Sequence, residues 1–252
     1  MPRVLRTVLP RIRRSFAERG LLTSLRRSIL LPFHLAKEYK IARNLPSSQE
    51  RSQFDVTHGV DTDGDFSDWT YLSDLDISSP NWIQGHDYCP IEPERFAVIL
   101  SGLDIRFEDF TFIDFGSGKG RALLLASDFP FRKIIGLEFS RELHASAERN
   151  IRIYPRKPKG CAVVESHCLD FLDYQLPTEP IVLFFFDPCA DSVFIPLLEN
   201  IRRSFQQNPR PLWLIYVAPE QKEKLLDSAS FLVKAERNEQ YQFCIYRSAG
   251  VP

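Results

Sequence analysis

No stretch of eighteen consecutive apolar residues occurs in the chain, so no helix of the length needed to cross a bilayer is expected. Cysteine is scarce and badly spaced for bridging. Its five copies, Cys89, Cys161, Cys168, Cys189 and Cys244, are odd in number and include no C-x-x-C pair. A disulfide framework and a structural zinc site are therefore not expected, and the usage suits a reducing, cytoplasmic setting. The five histidines (34, 58, 86, 144 and 167) contain no H-E-x-x-H spacing, and no G-x-S-x-G elbow is present. These absences remove zinc-peptidase and serine-hydrolase chemistry from the reading, and no metal is expected. Asp61-Thr62-Asp63-Gly64-Asp65 imitates a calcium loop. Its glycine comes too early, however, and its twelfth position is Leu72, where a bidentate glutamate is required.

What is present is a globular composition. Twenty Phe and eight Tyr among 252 residues are too many for a disordered chain, and the length suits one α/β domain with an extension. The net charge of −1 conceals an asymmetry. Residues 1–52 hold twelve Lys/Arg and three Asp/Glu, a net of +9, leaving twenty basic against thirty acidic side chains and a net of −10 for the rest. Three parts follow: a basic helical extension (1–52), a loop-rich lid or entrance segment (53–90) and an α/β domain (91–252). In the extension, Val4, Val8, Ile12 and Phe16 recur every four positions, with Leu21, Leu25 and Ile29 after Gly20, as on the apolar face of amphipathic helices over 3–44. Four roles fit: a packed helical cap, attachment to an anionic membrane surface, contact with nucleic acid, or a cleaved organelle-targeting segment.

From Ile91 onward strand-like runs at 111–116, 133–139, 161–168, 180–187 and 211–218 alternate with helical patterns at 92–103, 119–128, 140–151, 191–206 and 220–229. Continuous apolar runs between helices indicate a parallel sheet covered on both faces. The runs 231–238 and 240–247 lie about a residue apart, as in an antiparallel hairpin. The expectation is a doubly wound sheet with one reversed strand. Its three phenylalanines Phe184, Phe185 and Phe186 are expected in the core.

The sharpest motif is Asp114-Phe115-Gly116-Ser117-Gly118-Lys119-Gly120, between the first strand and a helix. Glycines there let the backbone approach a ligand closely. The second strand ends in Glu138, twenty-four residues after Asp114, where a carboxylate can accept both hydroxyls of a ribose. A dinucleotide loop needs G-x-G-x-x-G, but Arg121 occupies the sixth position. This spacing, and an acidic residue just before the loop, favour a cationic nucleoside, S-adenosylmethionine (SAM), over NAD. Asp170, with Phe171, and Phe139, beside Glu138, are placed to meet an adenine; Asp187-Pro188 ends the fourth strand where the transferred methyl belongs. Glycines at a strand-to-helix turn also serve plain packing, and Asp187 also suits helix capping, but the loop, Glu138 and the strand order together favour the ligand site.

The loop D-F-G-S-G-K-G, the segment Gly136-Leu-Glu-Phe139, Asp170 and Phe184-Phe-Phe-Asp-Pro188 together resemble the ordered motifs of class I SAM-dependent methyltransferases, over roughly residues 85–247. His58-Gly-Val-Asp-Thr62, Ser79-Pro-Asn-Trp82 and Tyr88-Cys-Pro90 resemble a branch similar to the Rossmann-type histone-lysine methyltransferases. The resemblance implies a seven-stranded sheet in the order 3-2-1-4-5-7-6. It also implies a SAM site formed by Asp114, Gly116, Ser117, Gly118, Gly120, Glu138, Phe139, Asp170 and Phe171, with Tyr88 closing over the methionine end. Asp187 and the Pro188 carbonyl would aim an amino nitrogen of a protein or small molecule, although Cys189 stands where the branch carries an aromatic residue. A SAM-binding interaction module without catalysis, attached through the basic N-terminus, is the alternative. His86-Asp87, just before Tyr88, fits either a contact with substrate or, as the favoured reading, a solvated loop.

Overall fold

The computed structural model describes residues 48–64, 70, 72, 75, 77, 79, 81, 84–155 and 160–250. The basic helices expected over 3–44, with Trp69 and Trp82, lie outside the described residues. Seven strands form one sheet: β1 (Thr111–Phe115), β2 (Lys133–Glu138), β3 (Val164–Cys168), β4 (Ile181–Phe186), β5 (Leu212–Val217), β6 (Leu232–Asn238) and β7 (Phe243–Ser248). Their spatial order is β3-β2-β1-β4-β5-β7-β6, as the resemblance implies. β1 to β5 are parallel, and β7 runs antiparallel to both β5 and β6.

Alternation along the central strands divides the interior into two layers. Ile113, Phe115, Leu183, Phe185, Leu214 and Tyr216 face one side, where helix α5 (Asp191–Gln207) covers them with Phe194, Leu197 and Ile201. Phe112, Ile134, Val182, Phe184 and Ile215 face the other, under α2 (Pro93–Ser101) and α3 (Arg121–Ser127). Because β4 and β5 are buried on both faces, their sequences show continuous apolar runs rather than alternation. Ring stacking reinforces the first layer: Phe115 lies 4.6 Å from Phe185, which lies 5.8 Å from Tyr216. Each such ring removed from water contributes about 1.5–3 kcal/mol. Phe184 and Phe185 are core residues as expected, but Phe186 is only half-buried and is crossed by the Arg95 guanidinium at 5.2 Å.

Local chemistry moves several boundaries. Helix α3 starts at Arg121 rather than 119, because Gly120 is its N-cap in a left-handed conformation (φ +88°). β3 begins at Val164 rather than 161, since the Cys161 N–H donates to the Ser127 carbonyl instead of to a strand neighbour. The terminal strands are separated by residues 239–242, a longer connection than expected, closed by Gln242 at φ +50°. The helical pattern at 220–229 becomes a short 3-10 turn (Pro219–Gln221) and α6 (Glu223–Asp227). Between β2 and β3, α4 (Arg141–Ile153) is capped by Ser140, whose hydroxyl accepts the Leu143 N–H.

Helix α1 (Ser48–His58) and the loop after it are fastened to the start of α3 by buried charge. Arg121 is only 1% exposed; its Nη2 lies 2.6 Å from Asp63 Oδ1 and 3.2 Å from Asp55 Oδ1, and its Nε donates to Thr62 Oγ1. Its guanidinium also lies 4.5 Å from the Phe54 ring centre. Asp55 in turn accepts the Thr62 and Asp63 N–H groups at 2.6 and 2.9 Å. On α4, the Asn150 amide donates to the Asp61 and Lys119 carbonyls at 2.7 and 2.9 Å. The residue that interrupts a dinucleotide spacing is thus a structural anchor.

Removing one member of a buried ion cluster strands the others, which typically costs about 3–5 kcal/mol. Arg121→Met is expected to lower unfolding free energy by about 3 kcal/mol, Asp55 and Asp63 being partly hydrated. Chemical denaturation measures this. Protease cleavage within 53–64 should accelerate in parallel.

Candidate functional site

A cleft of about 650 Å³, counted out to its open mouth, lies at the carboxyl ends of β1, β2 and β4. Among its walls are Gly116, Glu138, Phe139, Asp170, Phe171, Phe186, Asp187, Pro188 and Cys189, and the segment Gly85–Cys89 closes one side. Of the residues the sequence singles out, Tyr88, Gly116, Glu138, Phe139, Asp170, Phe171, Asp187 and Pro188 line the cleft. Asp114, Ser117, Gly118 and Gly120 are not part of that lining and stand behind it.

The turn after β1 is tied to β2. Gly116 and Ser117 N–H groups both donate to the Leu137 carbonyl, at 2.9 and 3.1 Å. The Gly118 N–H donates to Glu138 Oε2 at 2.8 Å, and Ser140 N–H donates to Oε1 at 2.8 Å. Two of these glycines have positive φ and neighbours that tolerate no side chain. A Cβ on Gly116 (φ +82°) would lie 2.9 Å from Pro188 Cβ, and one on Gly118 (φ +55°) would overlap the Tyr88 ring. Tyr88 therefore lies over the glycine turn with its ring, while its hydroxyl donates to the Thr62 carbonyl at 2.6 Å. Burial holds that hydroxyl neutral.

The electrostatics are dominated by two buried acids. Burial pushes Glu138 up to about 7, against the lowering effect of the Ser140, Gly118 and Phe139 N–H groups. Asp114, with no hydrogen bond among the described residues to temper it, is pushed up to about 8 by burial and by the neighbouring Glu138. Two carboxyls so placed favour a positive ligand group, whose charge would return both to the ionised form. The Ser117 hydroxyl is buried without a hydrogen-bond partner, pressed towards Gly136 of β2.

The opposite wall is formed where β4 ends. Asp187 holds a positive φ of +40°, uncommon for a non-glycine residue and a frequent feature of functional turns. The Tyr216 hydroxyl donates to Asp187 Oδ1 at 3.1 Å. The segment before Tyr88 pairs with the turn: Ala190 N–H donates to the Gln84 carbonyl at 2.8 Å, Gly85 bridges to Cys189, and His86 N–H donates to the Pro188 carbonyl at 3.0 Å. Cys189 is 2% exposed, and burial pushes its thiol up to about 12. Farther along, Ser79 Oγ and Asn81 Nδ2 both donate to Asp170 Oδ2, at 2.6 and 2.8 Å.

Sequence reasoning misses two contributors. Phe186, expected in the core, lines the cleft because it is the last strand residue, on the α2 face, where Arg95 crosses its ring and the helices no longer enclose it. His86, expected in solvent, is 17% exposed with Nδ1 at 2.6 Å from the Asp187 carbonyl oxygen and 3.3 Å from Asp187 Oδ2. A histidine two residues before the tyrosine that covers the glycine turn is the one signal that points to it.

No protein-family model and no curated protein sequence matches the chain. Among solved structures, similarity is found to a predicted N6-adenine-specific DNA methylase from Listeria monocytogenes, with 15% identity, a TM-score of 0.47, and coverage of 64% of this chain and 52% of the other. The present chain thus spans about half the length of that protein. An RNA methyltransferase from Salinibacter ruber in complex with S-adenosyl-L-homocysteine shows 16% identity and a TM-score of 0.42 over 65% of this chain and 96% of the other. Magnesium protoporphyrin IX methyltransferase from Synechocystis with bound SAM shows 14% identity and a TM-score of 0.42 over 62% and 78%. At these identities and scores neither cofactor nor acceptor follows from the likeness.

The buried acid pair has a measurable signature. Because the folded value of Asp114 lies above its unfolded one, its proton stabilises the fold fully below about pH 4, and that stabilisation is lost as pH rises towards 8. Asp114→Asn is therefore expected to be the more stable protein at pH 8, by about 2–4 kcal/mol, with the difference shrinking at pH 5. Denaturant titrations at the two pH values measure it.

Proposed function

We propose that the chain is a SAM-dependent methyltransferase acting on an amino nitrogen of a protein or small molecule in the cytoplasm. One observation carries the reading: Glu138 at the tip of β2 and Asp187 after β4 line one cleft, with the buried Asp114 carboxyl behind it and a turn too tight for side chains beside it. Glu138 would hold the ribose, with Phe139, Phe171 and Asp170 around the adenine. Asp114 and the backbone of Gly116, Ser117, Gly118 and Gly120 would serve the amino-acid end beneath Tyr88. When bound, SAM supplies an already activated methyl group on a positive sulfur. Five free cysteines fit the reducing compartment.

The protein's own part is then orientation and exclusion of water, worth up to about 7–11 kcal/mol in ideal cases. Asp187 is positioned by Tyr216 and by its strained backbone, so its carboxylate presents a fixed acceptor for an amine. Pro188 O is the companion acceptor. The Tyr88 ring would favour a nearby positive charge by about 0.5–2 kcal/mol. No described helix is long and apolar enough to cross a membrane. Residues 1–52, with a net charge of +9 (twelve basic against three acidic), would add contact with an anionic membrane surface or a nucleic acid.

A second reading, a SAM-binding module without catalysis, is favoured by one detail. The Pro188 carbonyl already accepts the His86 N–H, and Asp187 Oδ1 already accepts the Tyr216 hydroxyl.

Calorimetry tests the cofactor. S-adenosylhomocysteine and SAM are expected to bind in the micromolar range, and Glu138→Ala to weaken both about a hundredfold. Affinity for SAM should rise from pH 6 to pH 8 as Glu138 and Asp114 ionise, with protons released to the buffer on binding. Absence of binding by the wild-type protein overturns the reading. Transfer of labelled methyl into a cell lysate separates the two alternatives: Asp187→Ala abolishes it in an enzyme, and a binding module shows none at the outset.

A further inference from the structure

His86 stands at the meeting point of the lid segment and the β4 turn, and its geometry leaves little freedom in how its protons are arranged. Nδ1 is 2.6 Å from the Asp187 carbonyl oxygen, an atom that can only accept. Nδ1 must therefore carry the hydrogen. The Asp187 carboxylate lies close to the same nitrogen, with Oδ2 at 3.3 Å. In the neutral ring the lone pair then belongs to Nε2. The imidazole is held on both sides of its backbone: its own N–H donates to the Pro188 carbonyl, and the preceding Gly85 bridges to Cys189. Both His86 and Asp187 line the cleft.

We propose that His86 is the proton acceptor of this site, with the Asp187 backbone carbonyl fixing its tautomer and the Asp187 carboxylate as the adjacent countercharge. The inference rests on the methyltransferase reading and deepens it, because an amine that arrives as an ammonium has no lone pair with which to attack. In the proposed step one N–H bond of the acceptor breaks, its electron pair stays on nitrogen, and the proton forms a bond to Nε2. The resulting imidazolium is balanced by the Asp187 carboxylate, which Tyr216 holds by its hydroxyl, and the proton later leaves to water.

Among the described residues, the titratable groups near this pair come from the β4 turn, β5 and the ring's own segment. Asp187 follows β4, Tyr216 belongs to β5 and holds Asp187 rather than the ring, and Cys189 lies in the turn across from Gly85. Burial keeps the Tyr216 hydroxyl and the Cys189 thiol neutral. On the ring's own segment, Tyr88 is likewise neutral, and Asp87 accepts the Leu72 N–H at 2.8 Å. Asp187 is thus the carboxylate closest to Nδ1 in this set.

The experiment has a readout that requires neither an identified acceptor nor a loaded enzyme. Long-range proton–nitrogen correlation on protein labelled with 15N-histidine, above the ring's titration, is expected to show His86 as the Nδ1–H tautomer. An Nε2–H tautomer overturns the proposal. His86→Asn keeps a side-chain N–H near the Asp187 carbonyl but has no base, and it should bind S-adenosylhomocysteine within about threefold of wild type. With labelled SAM and lysate acceptors, this variant is expected to lose about a hundredfold in transfer at pH 7. The deficit should narrow to about tenfold near pH 9.5, where amines shed protons unaided. A loss equal at both pH values indicates a purely structural role, and full activity at pH 7 also overturns the proposal. Failure of the wild type to bind S-adenosylhomocysteine instead sinks the cofactor reading and leaves the tautomer result standing.

Discussion

The carboxylate of Glu138 is the joint on which the site depends. One oxygen takes the Gly118 N–H from the turn after β1, and the other takes the Ser140 N–H at the start of α4. A single side chain therefore locks two adjacent crossover turns at the same end of the sheet. The interaction has a cost, because the acid is buried beside Asp114 and both are displaced towards neutrality. Backbone donors offset part of that cost for Glu138 and none of it for Asp114. The acid pair is thus left in a state that a cation would relieve, so this internal joint and the site's preference for a positive ligand coincide.

Around that joint, two covers approach from outside the sheet. One is the α1 loop, held by Arg121 and Asn150 and bringing the Thr62 carbonyl to the Tyr88 hydroxyl. The other is the segment 79–88, which grips Asp170 through Ser79 and Asn81 and pairs with the β4 turn through Gln84, Gly85 and His86. Both covers meet at Tyr88, whose ring fills the space that a side chain at residue 118 would need. The tyrosine acts as shape rather than as an ionisable group. Its buried hydroxyl stays protonated and serves as a structural donor.

The parallel strands were legible because burial on both faces leaves uninterrupted apolar runs, as in Ile181–Phe186, and helices between them repeat with a different period. The terminal hairpin was legible in kind. Its connection length was not, because the residue spacing carries no record of Gln242 adopting positive φ. Arg121 shows the opposite situation. Its position inside the glycine motif was informative about ligand class, yet nothing local indicates that it is almost wholly buried, since its partners Asp55 and Asp63 lie more than fifty residues away in the chain.

By itself, then, the sequence determined the sheet, the tight turn after β1 and the two acids at the strand tips, because each is set by short-range periodicity or by a backbone geometry that only glycine tolerates. Tertiary structure alone decided what the loop residues do. His86 became a partner of Asp187, Phe186 became a wall of the cleft, and the Pro188 carbonyl became an acceptor for a backbone N–H. Those contacts join segments about a hundred residues apart, and hydrogen-bond geometry between distant segments exists only after the sheet has brought them together.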